Sequence, residues 1–290
     1  MSSTLKQRTL RGAAAAALAL LLGACAAATR PPGAGRPGVN EPPKFAALAA
    51  SDERRAGALA DWKTIVGDQA AASPTPELQP VTATLKALPP NLPTPPRMPL
   101  VVLGDKKAQT EEETRESLRR FIATSAPLLG VTPQELSLVE VKDAAGGAKT
   151  ARYQQNPFSY PLRNGYGVVE VTFTPDLRVV GLSSTAIPDS EQLRRSLAAV
   201  KPTLDGGKAA AVLANRAIIF NDRNGVRQTH TVTQADAATA RELVIFPVLR
   251  AEGAGTLELH VAWEVAVGGP ESPPLVYVDA VTGDVLAATQ

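Results

Sequence analysis

Fourteen of the 25 prolines in this 290-residue chain lie between Pro31 and Pro99. They are bunched as Pro31-Pro32, Pro42-Pro43, Pro89-Pro90 and Pro95-Pro96. Each proline fixes φ near −65° and lacks an amide donor, so paired prolines oppose helix and sheet alike. The distribution divides the chain into a disordered Pro/Ala-rich linker over residues 25–100 and a folded part beyond it. Inside the linker, Phe45, Leu48, Leu59, Trp62 and Val66 fall at near-helical spacing. That spacing predicts an amphipathic helix within residues 44–70, either loosely docked or serving as a partner-binding segment around Trp62. A flexible coil of about 75 residues has an end-to-end distance of roughly 45–50 Å, long enough to hold a folded head away from an attachment point.

The first 24 residues have the layout of a secretory signal peptide. Lys6, Arg8 and Arg11 form a basic start, Ala13 to Leu22 an apolar run, and Gly23-Ala24 a small-residue cleavage region. The apolar run is half the length that a spanning helix needs, about twenty residues. Leu22-Gly23-Ala24-Cys25 resembles the lipobox of bacterial lipoproteins, whose cysteine is acylated and becomes the first residue of the mature chain. The resemblance implies lipidation at Cys25 and a cell-envelope location. With Ala26 rather than an aspartate following, it points to the outer membrane, facing the periplasm or the surface.

Composition removes several function classes. A single cysteine and two histidines exclude a disulfide framework, Cys-rich zinc modules and any three-histidine metal centre. The formal net charge is +2, but the three basic residues of the signal segment contribute to it; without them 27 bases face 28 acids. A near-neutral chain with no basic stripe gives no electrostatic reason to expect nucleic-acid binding.

The folded part reads as helix plus antiparallel sheet, twice over. Thr110 and Glu113 have capping-box spacing, and Leu118, Phe121 and Ile122 line one face of a helix over 111–126. Apolar runs at 136–141, 151–155, 168–173 and 179–182 follow, separated by Gly, Pro, Asn and Asp, as in a meander. Ser190 and Asp205 are placed to cap helices over 191–200 and 208–217, and strands follow at 243–249, 257–267, 275–279 and 285–288. The fold class is therefore α+β, with two small cystatin-like units at 101–188 and 189–290.

Along 257–267 the alternation is clean. Leu257, Leu259, Val261, Trp263, Val265 and Val267 share the packed face, and Glu258, His260, Ala262, Glu264 and Ala266 the face expected to be wet or lightly covered. His260 is thus expected on the solvent side, and His230, after Asn224-Gly225, in a polar loop. Asp279 and Gly283 are turn-builders: the aspartate caps a four-residue hairpin loop, and the glycine takes its left-handed position.

Two segments resemble known families. The helix over 111–126, the run Arg152-Tyr153-Gln154-Gln155 and the strand pair after it resemble the fungalysin/thermolysin propeptide (FTP) domain. Val261-Ala262-Trp263-Glu264-Val265, with Val276-Tyr277-Val278-Asp279-Ala280-Val281-Thr282-Gly283, is similar to the end of a PepSY domain. The order matches the propeptides of secreted thermolysin-like zinc proteases, which chaperone and inhibit the enzyme they precede. Two places depart from the family pattern: Leu177 stands where the family turn often has glycine, and Asn156 to Tyr166 follow it loosely.

A thermolysin-like zinc site needs two histidines at i and i+4 with a glutamate between them. His230 and His260 are thirty residues apart. The resemblance therefore implies a propeptide-like, non-catalytic chain that needs no metal or cofactor and acts in trans on a secreted or periplasmic zinc metalloprotease. Arg152, Gln154 and Gln155 are the candidate partner-binding residues. The alternative is an envelope interaction or scaffold module unrelated to proteases.

Overall fold

The computed structural model describes residues 42–67, 72–102, 110–251, 255–268 and 274–290. The expected signal peptide and Cys25 lie outside them. Strand β1 spans Ala46–Ala49 and helix α1 Asp52–Val66. Ser51 caps α1, its hydroxyl accepting from the Arg54 amide at 3.2 Å. A short hairpin follows, β2 (Glu77–Leu78) and β3 (Leu85–Ala87). Helix α2 (Glu111–Thr124) opens on a complete capping box: the Thr110 hydroxyl accepts from the Glu113 amide at 3.2 Å, and the Glu113 carboxylate accepts from the Thr110 amide at 2.7 Å. One turn, α3 (Ala126–Leu129), ends at Gly130.

Four strands then form an antiparallel meander in the order β4-β5-β6-β7: Leu136–Asp143, Lys149–Gln155, Val168–Phe173 and Val179–Ser184. Short helices α4 (Ser190–Ala198) and α5 (Gly206–Ala211) precede a hairpin of β8 (Ala217–Asn221) and β9 (Arg227–Thr231). The last strands are β10 (Thr239–Arg250), β11 (Thr256–Ala266), β12 (Leu275–Asp279) and β13 (Val285–Thr289). The α+β class of the sequence reading holds, with helices packed on antiparallel sheets twice.

The linker expectation fails from Ala46 onward. β1 pairs antiparallel with the first half of β11, Ala46 opposite Leu259 and Ala49 opposite Thr256, while β12 takes the second half of the same edge. β11 is thus flanked by β10 along one side and by β1 and β12 in line along the other. Helix α1 buries Ala58, Trp62 and Val66 in one core with Phe121, Ile122, Leu128 and Leu129. Trp62 is therefore a core residue and not a free partner-binding segment. Farther along, the Met98 amide donates to Leu177 at 2.9 Å and the Val179 amide to Pro96 at 2.7 Å, closing the outer edge of β7. Prolines did what their chemistry dictates, which is to break regular structure. They did not prevent extended segments from covering sheet edges, a place where proline is tolerated.

Two further expectations shift. The helix placed at 208–217 is half that length, because Asn215 adopts a left-handed φ of 60° and Ala217–Asn221 turns into a strand. Its partner β9 contains His230, which pairs with Ile218 across the hairpin and lies 3.1 Å from Asp236. The Asn224-Gly225 turn that joins them is a strong hairpin signal that marks strands on both sides.

Candidate functional site

Residues 152–155 alternate across β5, so their four side chains cannot act on one surface. Tyr153 and Gln155 point into the core; Arg152 is exposed and Gln154 half-buried on the opposite face. Gln155 is 1% exposed, and its amide closes on the backbone of one residue: Nε2 donates to the Ile187 carbonyl at 3.0 Å, and Oε1 accepts from the Ile187 amide at 2.9 Å. Gln155 is therefore withdrawn as a partner-binding residue. It pins the chain leaving β7 to the middle of the meander.

On the outer face, register places Glu140, Arg152, Glu170 and Ser183 in one row across β4 to β7. Arg152 Nη1 lies 3.1 Å from the Glu170 carboxylate, and the Thr150 and Thr172 hydroxyls meet at 2.9 Å in the next row. Gly181 faces Thr172, where a Cβ would come within 3.0 Å of the threonine Cβ. The face is mostly polar, with Arg152 near its middle and Gln154 toward one end.

The five-stranded sheet holds a second cluster, which the sequence reading placed in solvent. His260 is 5% exposed. Its Nδ1 lies 2.6 Å from Asp279 Oδ2 and its Nε2 3.1 Å from Glu258 Oε2, and the Phe45 ring leans over it at a centroid distance of 4.9 Å. Burial alone would lower the imidazole pKa; the two carboxylates outweigh it and raise the pKa above its ordinary value. Burial would raise the Asp279 pKa, but the bond from His260 and the Thr282 and Val281 amides hold it below the usual carboxylate range. Asp279 Oδ1 accepts from those two amides at 2.9 and 2.7 Å, and Gly283 completes the turn at φ 78°. Asp279 therefore serves the turn with one oxygen and the histidine with the other. With both ring nitrogens facing carboxylates, His260 is arranged as a pin between strands. The cluster opens on a cavity of about 460 Å³ rimmed by Lys44, Phe45, Arg250 and Asp284.

At the other end of the same face, Glu264 is buried and meets Arg163 Nε at 2.9 Å and the Tyr277 hydroxyl at 3.3 Å. Arg163 also pairs with Glu242. It belongs to residues 156–166, the stretch that fits the family pattern loosely. That stretch lies along β10: Leu162 bridges Ile245, and the Ile245 amide donates to Pro161 at 2.9 Å. The meander and the long sheet are joined here as well as through Gln155. Between the two charged clusters, the Phe246 and Tyr277 rings pack at 4.4 Å. A face read as wet is thus largely buried, covered by groups far away in sequence.

Leu177, the other departure, takes the left-handed backbone conformation expected of a glycine, at φ 64°. Its side chain is 7% exposed within the core that holds Met98 and Phe173. Burial of the leucine offsets backbone strain of roughly 1–2 kcal/mol.

Among the described residues, no group of three or more His, Cys, Asp or Glu side chains is placed to hold a metal ion, and no helix is long and apolar enough to cross a membrane.

No family model matches the chain, and no curated protein is similar to it. Among solved structures, the Bacillus megaterium YpeB C-terminal domain matches with a TM-score of 0.26 and 10% identity, over 67% of this chain and 70% of that one. At that overlap the likeness assigns no activity.

Proposed function

We propose that the chain is a non-catalytic, lipid-anchored envelope protein that binds a secreted or periplasmic thermolysin-like metalloprotease in trans, inhibiting it or assisting its folding. The FTP-like and PepSY-like motifs motivate the reading. The observation that carries it is the outer face of the meander, where Arg152 and Gln154 stand on a mostly polar sheet face whose rear is fixed to the rest of the molecule by Gln155 and Arg163. A rigid sheet face loses little conformational freedom on docking, which favours occlusion of a partner's cleft. The buried, doubly paired His260 supports a structural and not a catalytic role for the one histidine of the long sheet. Acylation at Cys25 would leave about 20 residues before β1, a reach of at most about 70 Å fully extended.

The test is capture from envelope and culture fluid with tagged residues 26–290, followed by titration of any recovered metalloprotease. Recovery of a zinc protease whose activity or refolding yield changes with the added protein supports the reading. Recovery of envelope proteins alone, with metalloprotease present in the input, overturns it in favour of a scaffold.

A further inference from the structure

The β8–β9 hairpin has an inner and an outer face of opposite character. Ile218 is buried and Phe220 half-buried on the inner face, packing against the cluster that holds Ala209, Leu213 and Val265. On the outer face Ala217, Ile219 and Asn221 stand opposite Thr231, Thr229 and Arg227, and all six are exposed. Ile219 is 52% exposed and Val226, at the tip, 54%. Arg216 and Arg227, before β8 and at the start of β9, are exposed as well. The one carboxylate of residues 216–231, Asp222, is folded into the turn: Oδ1 accepts from the Asn224 and Val226 amides, both at 2.9 Å, and Oδ2 from the Gln228 side chain at 3.0 Å. Those bonds lower its pKa, so it stays ionised inside the turn.

Within residues 216–231 the exposed face is thus cationic at Arg216 and Arg227 and apolar at Ile219 and Val226, with its one carboxylate bound in the turn. We infer that the β8–β9 hairpin docks on an anionic lipid surface, with Arg216 and Arg227 at the level of the phosphates and Ile219 and Val226 entering the interface. Charge complementarity selects this occupant. Each arginine near such a surface contributes on the order of 1 kcal/mol, and two apolar side chains add a shallow insertion. The contact is independent of acylation and of any protease, and it would turn a tethered head toward the membrane in one orientation.

Residues 26–290 contain every described element and lack both the expected leader and Cys25, so this chain isolates the hairpin's contribution. Co-sedimentation is measured with vesicles of phosphatidylglycerol and phosphatidylcholine in equal parts, and with phosphatidylcholine alone. The expected result is binding to the anionic vesicles only, weakened by salt, about twenty-fold weaker in the double variant Arg216→Glu/Arg227→Glu, and weaker in Ile219→Ser. An Ile219→Trp variant gives a second readout, a blue-shifted emission on the anionic vesicles beyond that of Trp62 and Trp263 in the parent. Absence of binding, equal binding to both vesicles, or sedimentation and emission unaffected by these changes would overturn the inference.

Discussion

The side-chain amide of Gln155 and the backbone of Ile187 form a closed pair, each supplying one donor and one acceptor, 32 residues apart and out of contact with water. Replacing Gln155 with alanine leaves a buried N–H and a buried carbonyl without partners. The expected loss is about 2–4 kcal/mol, read as a lowered urea midpoint. Gln155→Glu should also destabilise, since a carboxylate has nothing to donate to the Ile187 carbonyl. An unchanged midpoint in both variants would show that the pair contributes nothing.

Arg152 and Gln154 should behave in the opposite way. Arg152→Gln and Gln154→Ala leave stability within about 1 kcal/mol of the parent, because the Arg152–Glu170 pair is exposed and Gln154 lies outside the core. The same changes are expected to weaken the proposed metalloprotease contact by about tenfold, since each removes a polar group from the proposed interface. Titration of a captured metalloprotease against each variant separates the two effects.

The pinned histidine gives the long sheet a pH dependence with a definite sign. The folded-state pKa of His260 lies above its unfolded value of about 6.5, so its contribution is fully present below that value and is lost as pH rises through the folded pKa. Asp279 has a lowered pKa, so its contribution is present above about 3.8 and is lost as pH falls through its folded value. Stability measured by denaturant across these windows should fall at both ends. In His260→Gln the alkaline loss above pH 6.5 should be reduced, and NMR titration of the parent imidazole locates the midpoint directly.

Truncation distinguishes a linker from a structural segment. Removing residues up to 41 should leave the unfolding transition in place. Removing residues through 51 deletes β1, uncovers half an edge of β11 and exposes the ring of His260, and should lower the midpoint and promote self-association. Trp62→Ala, in a segment first read as linker, is expected to cost about 3–5 kcal/mol.

Leu177→Gly relieves a left-handed backbone but removes a buried leucine. Loss of burial outweighs relief of strain, for a net destabilisation of about 1–2 kcal/mol. A more stable variant in thermal unfolding would reverse that ranking.

Local signals in the sequence translate directly into the structure. The Thr110/Glu113 box starts a helix, and period-two patterns over 168–173 and 257–267 mark strands. What could not be read locally depends on distant partners. The alternation of β11 separates its two faces but is silent on whether Arg163 and Phe45, roughly 100 and 200 residues earlier, cover the polar one. Likewise, Ala46–Ala49 has no strand propensity to notice, and its conformation comes from pairing with β11. For Gln155, alternation from Tyr153 sets the side, but only the path of residues 185–187 makes that side a dry one.

The placement of β1 also determines how the molecule bears load. The chain enters the fold as a strand laid along β11, with Ala46, Ala47, Leu48 and Ala49 each held opposite a residue of that strand. A pull along the strand axis on the residues before Ala46 therefore stresses all four pairs at once, in shear, where a peeling strand would yield them one at a time. Beneath them, Leu48 is locked in the core with Leu257 and Leu259. A pull on an end that sequence alone would treat as slack thus enters the sheet through β1.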